Sequence, residues 1–469
     1  MRVIMLSWEY PPKIVGGISR HLYDLAHALK AQDVEVHVVT CEHPGAAAEA
    51  VEDGIHLYRV VPQGQANDFI HWVHLLNNAM FARADALVQE LLGVDSEGNA
   101  LPPSEDDPIV IHSHDWLAFF AGNELKYKYR LPFVSTIHAT EYGRNSGING
   151  PIQEYINSIE SRLQHESWRV IVCTEFMKRE CEKALLTPWD KMDIIYNGVD
   201  ASKFQLPEFS EEERAAFRAR FAAPEEKIIF FVGRMVREKG VQVLIEALPK
   251  IRWGYHDAKL LIVGGGHKDH LYNLASYLGM ERHVYFPGFV PDEDLMKIYQ
   301  IIDIACFPSL YEPFGIVALE AMAAKVPVVV SDAGGLPEVV LNNVTGITTY
   351  AGNPNSLGDG ILKLLHEPET AKRLAEAAFA RLQTDFHWDN IARQTVGTYD
   401  RVWSEYITSP WWPGNDGRDL TPPVAASASP AFLDAAALEL DTDDSHLVTV
   451  DDETEIVETG GSHITEAAQ

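Results

Sequence analysis

The chain has 469 residues, too many for one compact core and enough for two domains of roughly 200 residues each with additions. Its apolar share of 46% and aromatic share of 10% are those of an ordinary globular protein, and no apolar run approaches the roughly 18 residues that a membrane helix needs. A net charge of −30 argues against nucleic acid as a partner, and four cysteines without a Cys-x-x-Cys pair exclude a disulfide framework or a structural zinc site as the expectation.

The N-terminal stretch "MRVIMLSWEYPP" carries a single base and a short apolar run, too short for a signal peptide and without a small-residue cleavage site, so a cytoplasmic protein is expected. From there β-rich runs alternate with amphipathic helical stretches: "RVIMLS", "SRHLYDLAHALKAQ", "VEVHVVT", then "PIVIHSH", "WLAFFAGNELKYKY", "LPFVSTIH", "WRVIVCT" and "DIIYN". Continuous apolar strands separated by helices predict a parallel sheet covered on both faces. The pattern breaks at the charged stretch "GVDASKFQLPEFSEEERAAFRARFAAPEE" and restarts with "KIIFFVG", "GVQVLIEALPKI", "AKLLIVGGG", "HVYFPG", "DIACFPS" and "VPVVVS". The fold class is therefore α/β: two doubly wound, Rossmann-like domains facing a central cleft. The predicted units are residues 1–200 and 201–385, a C-terminal helix over 386–408, and a tail over 409–469. From Pro410 onward there are 13 acids against one base, Arg418, a composition that predicts a disordered solvating segment.

In such sheets ligands sit beyond the carboxyl ends of the strands, so the loops after strands are the candidates. The first is "SWEYPPKIVGGISRH", where Gly16 and Gly17 precede a helix and their amides are expected to approach an anion. The second is "FVGRMVREKG", whose Arg234 and Lys239 would neutralise a diphosphate, one by forked hydrogen bonds and the other as a point charge. The third is "SLYEPFGIVALEAM": Pro313 suits a first helical turn, the amides of Phe314, Gly315 and Ile316 face an anion, and Glu312 and Glu320 suit sugar hydroxyls. Glu320 falls in an apolar helical stretch and requires a buried partner. The fourth, "SDAGGLPE", again offers glycine amides ahead of a helix.

Together the second and third loops read Gly-Arg-x4-Lys-Gly, a long gap, then Glu-Pro-Phe-Gly-x4-Glu-Ala-Met. This resembles the retaining GT-B glycosyltransferases of family 4 that use sugar nucleotides, over a span from "WEYPP" to about Tyr406. The resemblance implies that Arg234 and Lys239 bind the donor pyrophosphate and steady its departure, and that Glu312 lies by the transferred sugar. It further implies that Glu320 holds the ribose, Gly17 faces the donor phosphates, and His138 lines the sugar. No metal and no cofactor beyond the nucleoside-diphosphate-sugar donor are expected. "HSHDWLA" is similar to the His-Asp-Trp segment of glycogen and starch synthases, which puts Asp115 and Glu9 on the acceptor side. Lys13 precedes Gly-Gly at a spacing one residue longer than the commonest synthase form. The implied activity is hexosyl transfer, with glucose the expected sugar, to a hydroxyl of a glucan, a small molecule or a lipid.

Other readings are weaker. His112 and His114 share a strand face without a third convergent ligand in sequence, and Asp292-Glu293-Asp294 follows Pro291 where acids complement a helix start, so neither predicts a metal site. "VGGGHKDH" has consecutive glycines in place of a dinucleotide fingerprint. The rivals left open are a phosphorylase or epimerase, a non-catalytic sugar-nucleotide sensor, and a membrane-associated lipid glycosyltransferase, the last short of cations around Trp72.

Overall fold

The computed structural model describes residues 1–204 and 210–415. The predicted acidic segment beyond this point, with its short "AALEL" run, lies outside the described residues.

Two sheets carry the fold. The first contains β1 (Arg2–Ser7), β2 (Glu35–Cys41), β3 (Glu49–Glu52), β4 (Ile55–Val60), β5 (Ile109–His114), β6 (Phe133–Ile137), β7 (Arg169–Val172) and β8 (Met192–Ile194). Their order is β3-β4-β2-β1-β5-β6-β7-β8, parallel throughout except for β3, which pairs antiparallel with β4 at the edge. The second contains β9 (Lys227–Val232), β10 (Ala258–Val263), β11 (Val284–Gly288), β12 (Ile304–Phe307), β13 (Val328–Ser331) and β14 (Ile347–Thr349). Their order is β11-β10-β9-β12-β13-β14, all parallel. Helices on both faces remove alternate residues of each strand from water, so runs such as Val3 to Leu6 and Ile228 to Phe231 are wholly buried.

Each sheet winds outward in two directions from its centre, and this sets the location of the site. In the first, the chain leaves β1 toward β2 and β4, then returns to start β5 on the other side; in the second, β9 and β12 stand in the same relation. The crevice at such a reversal lies beyond the carboxyl ends of the two central strands. The loops after β1, β5, β9 and β12 are those that hold Glu9 to Gly17, Asp115, Arg234 to Gly240, and Pro308 to Gly315.

The C-terminal helix Trp388–Thr408 returns to the first lobe, where Tyr399 is wholly buried and its hydroxyl lies 2.7 Å from His112 Nδ1. Residues 409–415, assigned from composition to the tail, continue this packing: Trp412 is buried against Trp403 and Tyr406, and the Arg130 guanidinium donates to the Trp411 carbonyl at 3.1 Å. Two tryptophans supply the apolar area that the acidic residues beyond them lack. Among the described residues, no helix is long and apolar enough to cross a membrane.

Candidate active site

In the second lobe, the loop after β9 makes one short turn, Arg237–Lys239, and ends at Gly240 with φ 71°. A Cβ at Gly240 would lie 1.9 Å from the Pro308 carbonyl oxygen, so only glycine lets this loop press against the loop after β12. The contact brings Lys239 Nζ within 2.8 Å of Glu312 Oε2, on which the Ser309 hydroxyl also converges at 3.2 Å. Arg234 is half-exposed in the same crevice, 3.5 Å from Glu238. Burial lowers its affinity for a proton, and the neighbouring cation Arg144 adds to this, while Glu238, Glu312 and Glu9 oppose it.

The helix expected around Pro313 begins later, at Ile316, with Gly315 at its N-terminus. Gly315 has φ 110°, which turns the chain sharply and keeps Pro313 out of the first turn; the Pro313 carbonyl instead accepts the Thr174 hydroxyl at 2.9 Å. The amides of Phe314, Gly315 and Ile316 find no acceptor among the described residues. Gly17 stands opposite, a Cβ there lying 3.2 Å from Ile316 Cδ1.

Glu320 has the partners its burial requires. The Tyr299 hydroxyl donates to Oε2 at 3.0 Å, and Arg20, from helix Gly17–Lys30 of the first lobe, donates to Oε1 at 3.0 Å. Arg20 also pairs with Asp292 at 2.5 Å, so that acid begins a helix and bridges the lobes. Burial raises the Glu320 carboxyl above its ordinary value, with Arg20 and Tyr299 opposing.

In the first lobe, the Glu9 carboxylate is almost wholly buried and accepts the amides of Val15 at 2.7 Å and Gly16 at 3.0 Å. The anion on the Gly16 amide is therefore a residue of the chain itself, a correction to the expected role of that glycine. Lys13 is directed at Cys41, at the end of β2. Asp115 has φ 58°, a strained value for a residue other than glycine, held by its amide on the Thr136 carbonyl at 3.0 Å and by its carboxylate on the His138 amide at 2.7 Å. Burial lifts its pKa to about 6, against the pull of Arg144 and two amides.

The histidines form one cluster. His112 is fully used, with Tyr399 on Nδ1 and Thr136 on Nε2 at 2.7 and 2.8 Å. His114 Nδ1 lies 3.1 Å from His138 Nε2, and His21 packs edge-on against His138 with ring centroids 4.8 Å apart. Nitrogens of His21, His114 and His138 lie within 4.8 Å of one another, so the fold supplies the convergent third histidine that the sequence did not show beside His114. Burial, with like charge beside it, holds all of these imidazoles neutral: His112 and His138 are lowered to about 3, His21 and His114 well below the usual value.

The crevice thus gathers Glu9, Asp115 and His138 from one lobe and Arg234, Lys239, Glu312 and Glu320 from the other. Sequence reasoning missed Arg20, Tyr299 and Arg144. Arg20 and Tyr299 lie inside helices with nothing local to mark them, whereas Arg144 follows β6 in "HATEYGR", a post-strand position that the same rule covers.

Comparison with known proteins agrees with this arrangement. The family described as glycosyltransferase family 4 matches residues 15–203, and that described as glycosyl transferases group 1 matches residues 213–381. An uncharacterized glycosyltransferase of Methanocaldococcus jannaschii is 39% identical over 403 residues, covering 85% of this chain and 98% of that protein. A glycogen synthase of Mycobacterium tuberculosis is 35% identical over 416 residues, 85% of this chain and 94% of the relative. Among solved structures, a sucrose-phosphate synthase of Thermosynechococcus elongatus superposes with a TM-score of 0.69 at 22% identity, covering 86% of this chain and 99% of that one.

Proposed function

This chain belongs to the glycogen- and starch-synthase-like family 4 glycosyltransferases, with the GT-B fold, and from that premise we propose that it moves a glucosyl unit, with retention, from a nucleoside-diphosphate glucose to a sugar hydroxyl. The observation that carries the reading is the pairing of Lys239 with Glu312 at 2.8 Å, beside Arg234 and the unsatisfied amides at the start of helix Ile316–Ala323. A diphosphate would take the free amides and share Lys239 with Glu312 and Arg234 with Glu238.

In this reading Glu320 accepts the ribose hydroxyls, sharing its oxygens with Arg20 and Tyr299. Glu312, polarised by Lys239, accepts hydroxyls of the transferred glucose. Charge that develops on the leaving diphosphate is stabilised by Arg234, Lys239 and the helix-end amides. The acceptor hydroxyl enters from the same face of the sugar and gives its proton to a departing phosphate oxygen, so no protein nucleophile is needed. His138 lines the sugar as a neutral imidazole. The two cations supply the neutralisation for which other transferases use a metal.

Proton NMR of a reaction containing UDP-glucose or ADP-glucose with maltoheptaose tests the reading. A new α-glucosidic signal appearing with free nucleoside diphosphate supports it; a β-linked product removes the retaining assignment. Nucleotide binding without any transfer, to glucan, sugar phosphate or lipid, turns the assignment into that of a sensor.

A further inference from the structure

We infer that His21, His114 and His138 form a binding site for a divalent transition metal of the zinc class, and that an ion held there closes the pocket against the transferred sugar. The second half rests on the proposed function, because it uses His138 as a wall of that pocket; the site itself does not.

Three separate elements deliver the rings. His21 comes from helix Gly17–Lys30, His114 ends β5, and His138 follows β6. His21 and His114 are buried, whereas His138 is partly exposed and supplies the way in from the crevice. The cluster is braced from behind. Trp388 packs edge-on against His21 with centroids 5.6 Å apart, and His112 lies against His114 at 4.3 Å. His112 is a wall rather than a ligand, since Tyr399 and Thr136 take both of its nitrogens.

A neutral imidazole carries one N–H and one lone pair, and burial ordinarily requires a partner for each. The cluster breaks that rule. Neither ring nitrogen of His21 makes a hydrogen bond, although the Asn197 side chain stands beside the ring, and His114 Nε2 has no partner. The 3.1 Å contact of His114 Nδ1 with His138 Nε2 uses one proton and one lone pair, whichever ring donates. Unmatched buried nitrogens on two rings therefore converge with a third ring, and no side chain among the described residues satisfies them.

A tetrahedral zinc ion, with Zn–N bonds of about 2.0–2.1 Å, sets its nitrogens about 3.4 Å apart. His114 Nδ1 and His138 Nε2 already stand 3.1 Å apart, and one nitrogen of each ring lies within 4.8 Å of the others. Side-chain rotation thus has to close a gap of about 1.4 Å at most. On binding, the hydrogen bond between those two rings is exchanged for metal bonds, and its proton moves to the far nitrogen of the same ring. Three imidazoles without a carboxylate suit zinc, nickel or copper; magnesium and calcium take oxygen ligands. His138 is the ring that lines the transferred sugar in the proposed function, so an ion on its nitrogen takes the place of the sugar.

The test titrates the full-length chain, stripped with a chelator, with zinc sulfate in a calorimeter, as wild type, His21→Leu and His56→Ala. His21 makes no hydrogen bond, so leucine strands no partner, and a thermal melt checks each fold. His56 stacks on His37 across β4 and β2 and reports binding elsewhere. The wild type should bind one ion with a Kd of about 1 μM or tighter; His21→Leu should weaken this at least about thirtyfold, and His56→Ala should stay within about twofold. Cobalt(II) in place of zinc should give the wild type the intense visible bands of a tetrahedral site, and should decide alone if the leucine variant melts early. Zinc near its Kd should halve nucleoside-diphosphate release by the wild type and spare His21→Leu, whose release without metal should stay within about twofold of wild type. No binding to the wild type, equal binding to His21→Leu, loss in His56→Ala, or an octahedral cobalt spectrum overturns the site. Binding that depends on His21 but leaves release unaffected overturns the closure of the sugar pocket. Zinc binding in a chain that releases no nucleoside diphosphate from any donor leaves the site standing and removes the proposed function.

Discussion

Lys239→Ala separates what this side chain does for the fold from what it does for the reaction. In the folded protein Lys239 Nζ lies 2.8 Å from Glu312 Oε2, and the Glu312 side chain keeps only 9% of its surface exposed. Truncation leaves that carboxylate with the Ser309 hydroxyl at 3.2 Å, so stability should fall by about 1–3 kcal/mol, the cost of a mostly buried charged acceptor that has lost its partner. The same substitution removes one fixed charge from the departing diphosphate, comparable with removing one oxyanion-hole donor, about 2.7–4 kcal/mol or 10²–10³-fold in kcat. Nucleoside-diphosphate release at saturating donor reads the second quantity and a thermal melt reads the first. The double variant Lys239→Ala/Glu312→Gln removes the stranded charge, so it should recover much of the melting temperature and none of the turnover. Turnover of Lys239→Ala within about threefold of wild type would refute the assignment of this lysine to the leaving group.

Glu320→Ala should weaken nucleoside-diphosphate binding by about tenfold in calorimetry, with a smaller effect on kcat, because the contact is to a part of the donor that does not react. Gly315→Ala should cost about 1–3 kcal/mol in a melt and abolish turnover, since φ is 110° and the new Cβ would lie 2.6 Å from Leu336 Cδ2. Gly397→Ala, in the C-terminal helix with open space around it, should instead raise stability by about 0.5–1 kcal/mol. Acidification should destabilise the protein. His21, His112, His114 and His138 are held neutral in the fold, so the unfolded chain binds more protons below pH 6.5. Stability is then complete above that pH and falls beneath it by about 1.4 kcal/mol per pH unit for each imidazole. Asp115, raised to about 6, and the other carboxyls that burial raises, Glu9, Glu160 and Glu320 among them, work the other way, because there the fold binds the extra proton, and they offset part of this loss. A melting temperature that stays flat from pH 7.5 to 5.5 would contradict the burial of the cluster.

The alternation of apolar strands with helices reads the central strands of both sheets, because strands buried on both faces leave no polar alternation, but it misses β3, β4 and β14, of which β3 is exposed, β4 alternates in burial and β14 is only three residues long. The loops after β1, β9 and β12 were found by the same logic, since carboxyl ends of strands were the stated search ground. What did not follow was anything that depends on strand order. Only the order β2-β1-β5 and β10-β9-β12 shows why those loops converge, and that order is set by long-range packing that no window of sequence contains. Arg20 is an unmarked base in an amphipathic helix until the second lobe places Glu320 and Asp292 against it. Gly16 was read as an anion site because local chemistry could not show that Glu9, seven residues earlier, folds back on its amide. The return of the C-terminal helix to the first lobe, and the burial of Trp412, likewise rest on contacts across most of the chain.

The central claim is that the second lobe binds an activated glucose and passes it to a sugar. The most direct test is release of free nucleoside diphosphate from UDP-glucose, ADP-glucose and GDP-mannose, each with and without a sugar acceptor, glycogen and glucose 1-phosphate in separate reactions. The account predicts acceptor-dependent release from a glucose donor. Release that is absent with every donor, or that proceeds at the same rate without acceptor, would contradict it.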